Sequence, residues 1–359
     1  MALPGVRGFP GQPLHDDLDA AQPVRLQQRP RLGGSPPGYG LQDLGMFGGG
    51  LFQRVHAAVG RVKDGDQDSS CQGARASVNN AELAVQTAAN DLATLLAAGG
   101  AVIAPHTTSV FHLAAAVSGE CEANFDLGLR VNFDTTRALL EACRHVASRP
   151  RLIFASSVAV FGGELPAVVD DFTLPQPQNS YGIQKFMCEQ LIADYSRKGF
   201  VDGRSVRLPT ISVRPGKPNA AASSFLSGIV REPLAGQEAT CPVPLDMRVS
   251  LLSPRGAVRG LMTALTASGE QWGQRIAMNL PALTVSVGAM IEALRSVAGE
   301  QAVSRIRYAS DANIQCIVGS WPAGMTSARA LALGLAADPD FETIVRGYME
   351  DNPQALAGH

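Results

Sequence analysis

Charge is scarce in this chain: only 17% of its 359 residues are Asp, Glu, Lys or Arg, and the formal net charge is -2. That scarcity removes the electrostatic footprint by which nucleic acid or an anionic membrane surface is bound. Hydrophobic residues make up 45% of the chain, yet no apolar run approaches the roughly 18 consecutive residues of a membrane-crossing helix. The opening stretch MALPGVRGFPGQPLHDD lacks the basic cluster and continuous apolar core of a secretory leader. A soluble protein of the cytoplasm is expected. The six cysteines, Cys71, Cys121, Cys143, Cys188, Cys241 and Cys316, include no C-x-x-C pair, and they read as reduced core thiols. His112 has no second His or carboxylate at metal-ligand spacing, so it reads as a packed residue and no metal is expected. No internal repeat is present. The length suits one large domain or two modest ones with a sizeable core.

Composition changes abruptly near residue 107. Residues 1–50 hold eleven Gly and seven Pro and show neither strand alternation nor helical periodicity, which reads as loop or disorder. Residues 79–98 favour a helix, with Leu83, Val85, Ala89, Leu92 and Leu95 as apolar positions. Beyond residue 107, short β-rich runs alternate with amphipathic stretches, the grammar of parallel βαβ units. Strands are expected at 109–115, 151–157 and 206–213, with another near 276–280. A helix is expected over 126–146, where Leu127, Val131, Leu139, Leu140, Cys143 and Val146 share a face, and another over 180–198, with Ile183, Met187, Leu191 and Tyr195 on one face. Helices near 287–298 and 341–349 follow, and the proline-broken segment after Pro215 reads as loops and a small cap.

The most informative pair is Tyr181 and Lys185, four residues apart and so on one face of a helix. A nearby ammonium favours the phenolate and lowers a tyrosine pKa from its ordinary value near 10, making Tyr181 an acid-base candidate. Alone, Y-x-x-x-K usually marks a solvated lysine beside a packed tyrosine. Its setting adds weight, because Ser156 and Ser157 end the strand upstream, and open α/β sheets carry their reactive groups at strand tips. Serine can hold a substrate oxygen, tyrosine can move the proton and lysine can tune the tyrosine. The plainer reading of the two serines is a strand-end turn that satisfies local backbone groups.

Four segments, Phe111-His-Leu-Ala-Ala115, Ser156-Ser-Val-Ala-Val-Phe-Gly162, Ser180-Tyr-Gly-Ile-Gln-Lys185 and Arg207-Leu-Pro-Thr210, resemble in order and spacing the extended short-chain dehydrogenase/reductases, also called NAD-dependent epimerase/dehydratases. The resemblance runs from about residue 108 to about 353. Segments 199–204, 213–225 and 231–236 are similar to the branch that oxidises a four-carbon sugar acid, D-erythronate, with NAD. The resemblance implies an α/β fold, a doubly wound parallel sheet (Rossmann-like) with a smaller C-terminal substrate lobe. It divides the chain into an atypical N-terminal part (1–107), a dinucleotide-binding core (108–215) and a mainly substrate lobe (216–353) with segments returning to the core.

By position, the resemblance implies Ser157, Tyr181 and Lys185 as the catalytic set. It implies Ala114, Ala115, Asn132, Tyr181, Lys185, Pro209 and Thr210 as the residues around NAD. Phe161 departs from the commoner tyrosine of sugar-nucleotide enzymes. A buried anion needs a charge-assisted donor, which makes Arg214, Lys217 and Arg231 candidates, with Lys217 and Arg231 foremost; they join Ser157 and Tyr181 as the expected substrate residues. The implied activity is NAD-dependent oxidation of a secondary alcohol on a small sugar acid to the keto acid. Two alternatives stay open: a nucleotide-sugar epimerase or dehydratase, and a catalytically impaired homologue with defective cofactor binding. The expected partner is the small-molecule substrate, with a homodimer left open and no nucleic acid or membrane.

One family feature has no good copy. The family opens on a buried strand running into T-G-x-x-G-x-x-G, whose glycines admit the pyrophosphate to a helix N-terminus. Here Gly5-Val-Arg-Gly8-Phe-Pro-Gly11 has the spacing but no preceding strand, and Gly45-Met-Phe-Gly48-Gly-Gly-Leu51 has Leu51 in place of the third glycine. Asp64, Asp66 and Asp68 read as a solvated loop rather than a ribose-binding acid. One explanation of the abrupt composition change is that residues 1–107 are read from a wrong start or a shifted frame that joins the true frame just before Ser109.

Overall fold

Strand alternation is clearest at Arg151–Ser157, whose interior is wholly buried. Leu152 and Phe154 pack into one apolar cluster and Ile153 into another, so both faces of this strand are covered, as a parallel sheet between helical layers requires. The computed structural model describes residues 103–146, 148–218 and 221–356 together with the backbone of 58–60. The glycine clusters, the 79–98 helix, the three aspartates of residues 64–68 and Cys71 lie outside the described residues.

The central sheet contains β1 (Ala58–Gly60), β2 (Ser109–His112), β3 (Arg151–Ser157) and β4 (Asp202–Leu208), with one later strand at its edge. β2, β3 and β4 run parallel, with Ser109 opposite Arg151 and Arg151 opposite Asp202, while β1 lies antiparallel to β2. Helix α1 (Thr135–Arg144) buries Thr135, Thr136, Leu139, Leu140 and Cys143, and these spacings trace one helical stripe. With α2 (Ser180–Arg197) it covers the Leu152 and Phe154 face through Leu139, Leu140, Cys188 and Ile192. Beyond β4, β5 (Thr210–Ile211), α3 (Phe225–Leu234), β6 (Ala239–Cys241), β7 (Arg248–Leu252) and α4 (Pro254–Thr266) follow. α4 closes the Ile153 face through Ala257, Leu261 and Ala264.

The chain then returns to the central sheet as β8 (Met278–Asn279), parallel to β4 with Met278 opposite Val206. β9 (Leu283–Ser286), α5 (Val287–Ala298), β10 (Ile306–Tyr308) and α6 (Phe341–Asp351) follow. A second core, built from Leu226, Leu251, Met290, Leu294, Ile344, Val345 and their neighbours, unites α3, α5 and α6 against the β5-β7-β9 sheet. Two cores placed on two sets of strands leave the tips of β3 and β4 facing the start of the second set.

Several expectations need correction. The 126–146 helix is not uniform: Leu129–Asp134 is a π-helical turn ahead of α1. The third strand starts at Asp202 rather than 206, because fully buried Arg204 pays out its charge to Asp202 and to the carbonyls of Ala264 and Ala267, both at 2.7 Å. The stretch after Pro215 holds α3, β6, β7 and α4; Pro233 lies in the last turn of α3, where its missing N–H costs a single bond. In α2 the face of Ile183 and Met187 points outward, at 46% and 37% exposure, and the buried face carries Gln184, Lys185, Cys188, Glu189 and Ile192. Cys121, Cys143, Cys188 and Cys241 are buried free thiols, and Cys316 is a free exposed one.

His112 is buried, its Nε2 at 2.7 Å from the Thr136 hydroxyl. Burial, and secondarily the charge of Lys185, pushes its pKa from 6.5 down to about 3. A lowered folded pKa means that the unfolded chain binds the proton more readily, so this contribution is complete above pH 6.5 and is lost as pH falls toward 3. Urea unfolding is expected to show stability lower by about 2 kcal/mol at pH 5 than at pH 7, and His112→Gln to remove most of that difference. A variant that keeps the full pH dependence counts against His112 as the acid-sensitive group.

Candidate active site

The site forms where the tip of β3 meets the first turn of α2. Asn179 caps α2 by accepting from the Gly182 N–H at 2.8 Å, and Gly182 allows the close approach: a Cβ there would overlap the Ala159 carbonyl. The helix start is thereby pressed against the turn that follows Ser157, and the Ser157 hydroxyl lies near enough to the Tyr181 phenol to favour its ionised form. Ser157 Oγ accepts from Ala159 N at 3.1 Å, the strand-end turn of the plainer reading. Ser156 points the other way, donating to the Glu189 carboxylate at 2.5 Å.

Burial drives the Tyr181 phenol up to about 12, against the lowering effects of Ser157 and of the Arg214 charge. The expected lowering by Lys185 is absent in this state: the Lys185 Nζ lies 5.7 Å from the Tyr181 ring centroid and donates instead to the Ala155 carbonyl at 2.8 Å. Lys185 is only 2% exposed, sits 4.6 Å from the Phe154 ring centroid, and is pushed by burial from 10.5 down to about 8. Desolvation dominates both groups, so the phenol is held protonated and the lysine is poised near neutrality.

Around this pair, Ala114 and Ala115 are half-buried just past β2, and Asn132, in the π-helical turn, clamps the next residue from both sides. Its Oδ1 accepts from Ala116 N at 2.8 Å and its Nδ2 donates to Ala116 O at 3.2 Å. π-helical turns of this kind are frequent at functional sites. Pro209 is buried between β4 and β5, and Thr210 opens β5 half-buried. The tips of three parallel strands thus converge on one edge, where small side chains leave backbone accessible.

Residues 70–277 match the family described as NAD dependent epimerase/dehydratase. The chain belongs to that family. Two proteins named D-erythronate dehydrogenase are similar to it. The one from Cupriavidus necator is 57% identical over 245 residues, 68% of this chain and 76% of its own length. The one from Haemophilus influenzae is 47% identical over 249 residues, 69% of this chain and 79% of its own. The solved nucleoside-diphosphate-sugar epimerase from Agrobacterium tumefaciens superposes with a TM-score of 0.71 at 45% identity, covering 79% of this chain and 83% of that one.

An epimerase/dehydratase family member uses NAD, and the donor set here fits its nicotinamide end. Lys185 carries three N–H donors; beyond the Ala155 carbonyl it has no hydrogen-bond acceptor among the described residues, although it is almost fully buried. A buried ammonium with donors to spare suits ribose hydroxyls.

The expected substrate cations are placed differently from one another. Lys217 is exposed. Arg231 is buried, but its guanidinium is engaged by Glu232 at 2.6 Å and by the Arg214 carbonyl at 2.8 Å. Arg214, ranked behind both on sequence grounds, is the cation whose charge acts on Tyr181, and its guanidinium has no ion-pair partner among the described residues. The sequence reading missed Arg248 and Trp321. With Val158, Thr210 and Ser250 they line a small part-open cleft beside the β3 tip. Trp321 Nε1 is buried without a partner there. An arginine heading a strand whose next four residues are buried was the available signal for Arg248.

Proposed function

We propose that this protein oxidises a secondary alcohol of a small sugar acid of the D-erythronate type to the keto acid. The observation that carries the reading is the Tyr181 phenol beside the Ser157 hydroxyl and faced by the guanidinium of Arg214, which has no ion-pair partner among the described residues. Ser157 orients the substrate hydroxyl toward Tyr181, and Tyr181 Oη takes the hydroxyl proton as the carbonyl forms. Arg214 grips the carboxylate, since a charge-assisted bond to a part-buried guanidinium is strong and directional. Lys185 holds the ribose edge and favours the phenolate. NAD, when bound, accepts the hydride, and the proton passes from Tyr181 to solvent.

Because the phenol must ionise, oxidation speeds up as pH rises. The similarity to two D-erythronate dehydrogenases supports the substrate class. The free thiols and the lack, among the described residues, of a helix able to cross a membrane are consistent with a cytoplasmic setting.

The test is NADH formation with D-erythronate, read alongside interconversion of nucleotide sugars without net NADH. Stoichiometric NADH and keto acid are expected; nucleotide-sugar turnover without NADH replaces this reading with the epimerase one. Arg214→Met is expected to raise KM for the acid ten- to a hundredfold, about 1.5–3 kcal/mol for a charged hydrogen bond. An unchanged KM removes Arg214 from the substrate site.

A further inference from the structure

Tyr181, Lys185 and Glu189 recur every four residues along α2 and so lie on one face. Glu189 has no role in the proton transfer above, yet its carboxylate is 3% exposed in the interior. It accepts from Ser156 Oγ on β3 at 2.5 Å, and from Nε and Nη2 of Arg207 on β4 at 2.9 and 2.7 Å. Ser156 and Arg207 are directly opposite one another in the parallel ladder. One carboxylate therefore fastens the helix of Tyr181 and Lys185 to both strands, one residue short of Ser157 on β3 and two short of Pro209 on β4.

Stability does not account for this arrangement. Two buried charges are costly to desolvate, and replacing such a pair with apolar groups of similar volume is often neutral or favourable. The surroundings of Lys185 offer another reason. Facing it are Cys121 from the 118–123 helix, Cys188 and Glu189 from α2, His112 from β2, the Phe154 ring from β3 and Tyr181. Both thiols are pushed up by burial, His112 is pushed down, and all three are neutral at pH 7. Glu189, paired with Arg207 at 2.7 Å, is the one carboxylate among them.

We propose that Glu189, anchored by Arg207 and Ser156, is a positioning residue that sets α2, with Tyr181 and Lys185 on the same face, against the β3 tip. The proposal rests on the reading of Tyr181 and Lys185 as the acid-base pair. Arg207 is spent on holding the carboxylate, with its guanidinium 4.9 Å from the Phe161 ring centroid.

The test exploits a scarcity: the chain has only four lysines, Lys63, Lys185, Lys198 and Lys217, so Lys185 can be followed by NMR of isotope-labelled lysine. Glu189→Gln with Arg207→Met removes both charges together and leaves neither unpaired. In this double variant the Lys185 titration midpoint is expected to fall by about half a unit or more. kcat should drop about tenfold, with substrate KM within about twofold. A folded double variant with the wild-type Lys185 midpoint and kcat overturns the proposal.

Ser156→Ala, which leaves the ion pair in place, gives an independent reading even if the double variant does not fold. It should lower kcat about threefold with the Lys185 midpoint held, and an unchanged kcat overturns the positioning role. Tyr181→Phe serves as the control. Activity surviving in that variant means that the acid-base reading is wrong, whereas an inactive Tyr181→Phe beside an unaffected double variant overturns only the role of Glu189.

Discussion

Tyr181→Phe is expected to lower NAD-dependent oxidation at least about a hundredfold while leaving the fold in place. The substitution deletes one oxygen beside the hydroxyl of Ser157, and it preserves the ring and the turn of α2 around Gly182. The loss should fall on kcat. Arg214, which grips the carboxylate in the proposed reading, is untouched, so substrate affinity should hold. Circular dichroism and thermal unfolding matching the wild type, together with steady-state rates, make the comparison clean. A variant with near-normal turnover and a normal fold shows that the proton leaves by another route.

Intrinsic NAD affinity is expected to be weak, about a thousandfold below that of a chimera carrying an intact family N-terminus before Ser109. The reasoning turns on the two ends of the dinucleotide. At the nicotinamide end, Lys185 has donors to spare, and Asn132 clamps the backbone beyond Ala114 and Ala115. At the pyrophosphate end, an anion needs backbone N–H groups at a helix N-terminus or side-chain cations. Neither Gly5 to Gly11 nor Gly45 to Gly50 follows a hydrophobic strand in the sequence. Losing that anion site removes several kcal/mol, and each 1.4 kcal/mol is tenfold in affinity, so a micromolar site becomes millimolar. Calorimetry on both chains decides it: micromolar binding by the unmodified chain means that one glycine cluster is a working phosphate loop.

The sequence by itself determined the elements whose pattern is local. Arg151–Ser157 is a strand because Leu152, Ile153 and Phe154 form an apolar run that no Gly or Pro interrupts, and Val287–Ala298 is a helix because its apolar residues repeat at the helical period. The same holds for the catalytic candidates, since the four-residue step from Tyr181 to Lys185 puts both on one helix face whatever lies around them. Tertiary structure alone decided which face goes inward. Apolar Ile183 and Met187 are turned out, and Lys185 and Glu189 are turned in, because the inward face of α2 meets Ser156, Arg207 and the Ala155 carbonyl from two strands distant in sequence. Polar burial is stable only where partners from elsewhere complete it, and no periodicity within a single helix records who those partners are. The same reason put Arg214, rather than Arg231 or Lys217, opposite Tyr181: Glu232 and the Arg214 carbonyl had already claimed Arg231. A charged residue is free for a ligand only if the fold has left it without a partner.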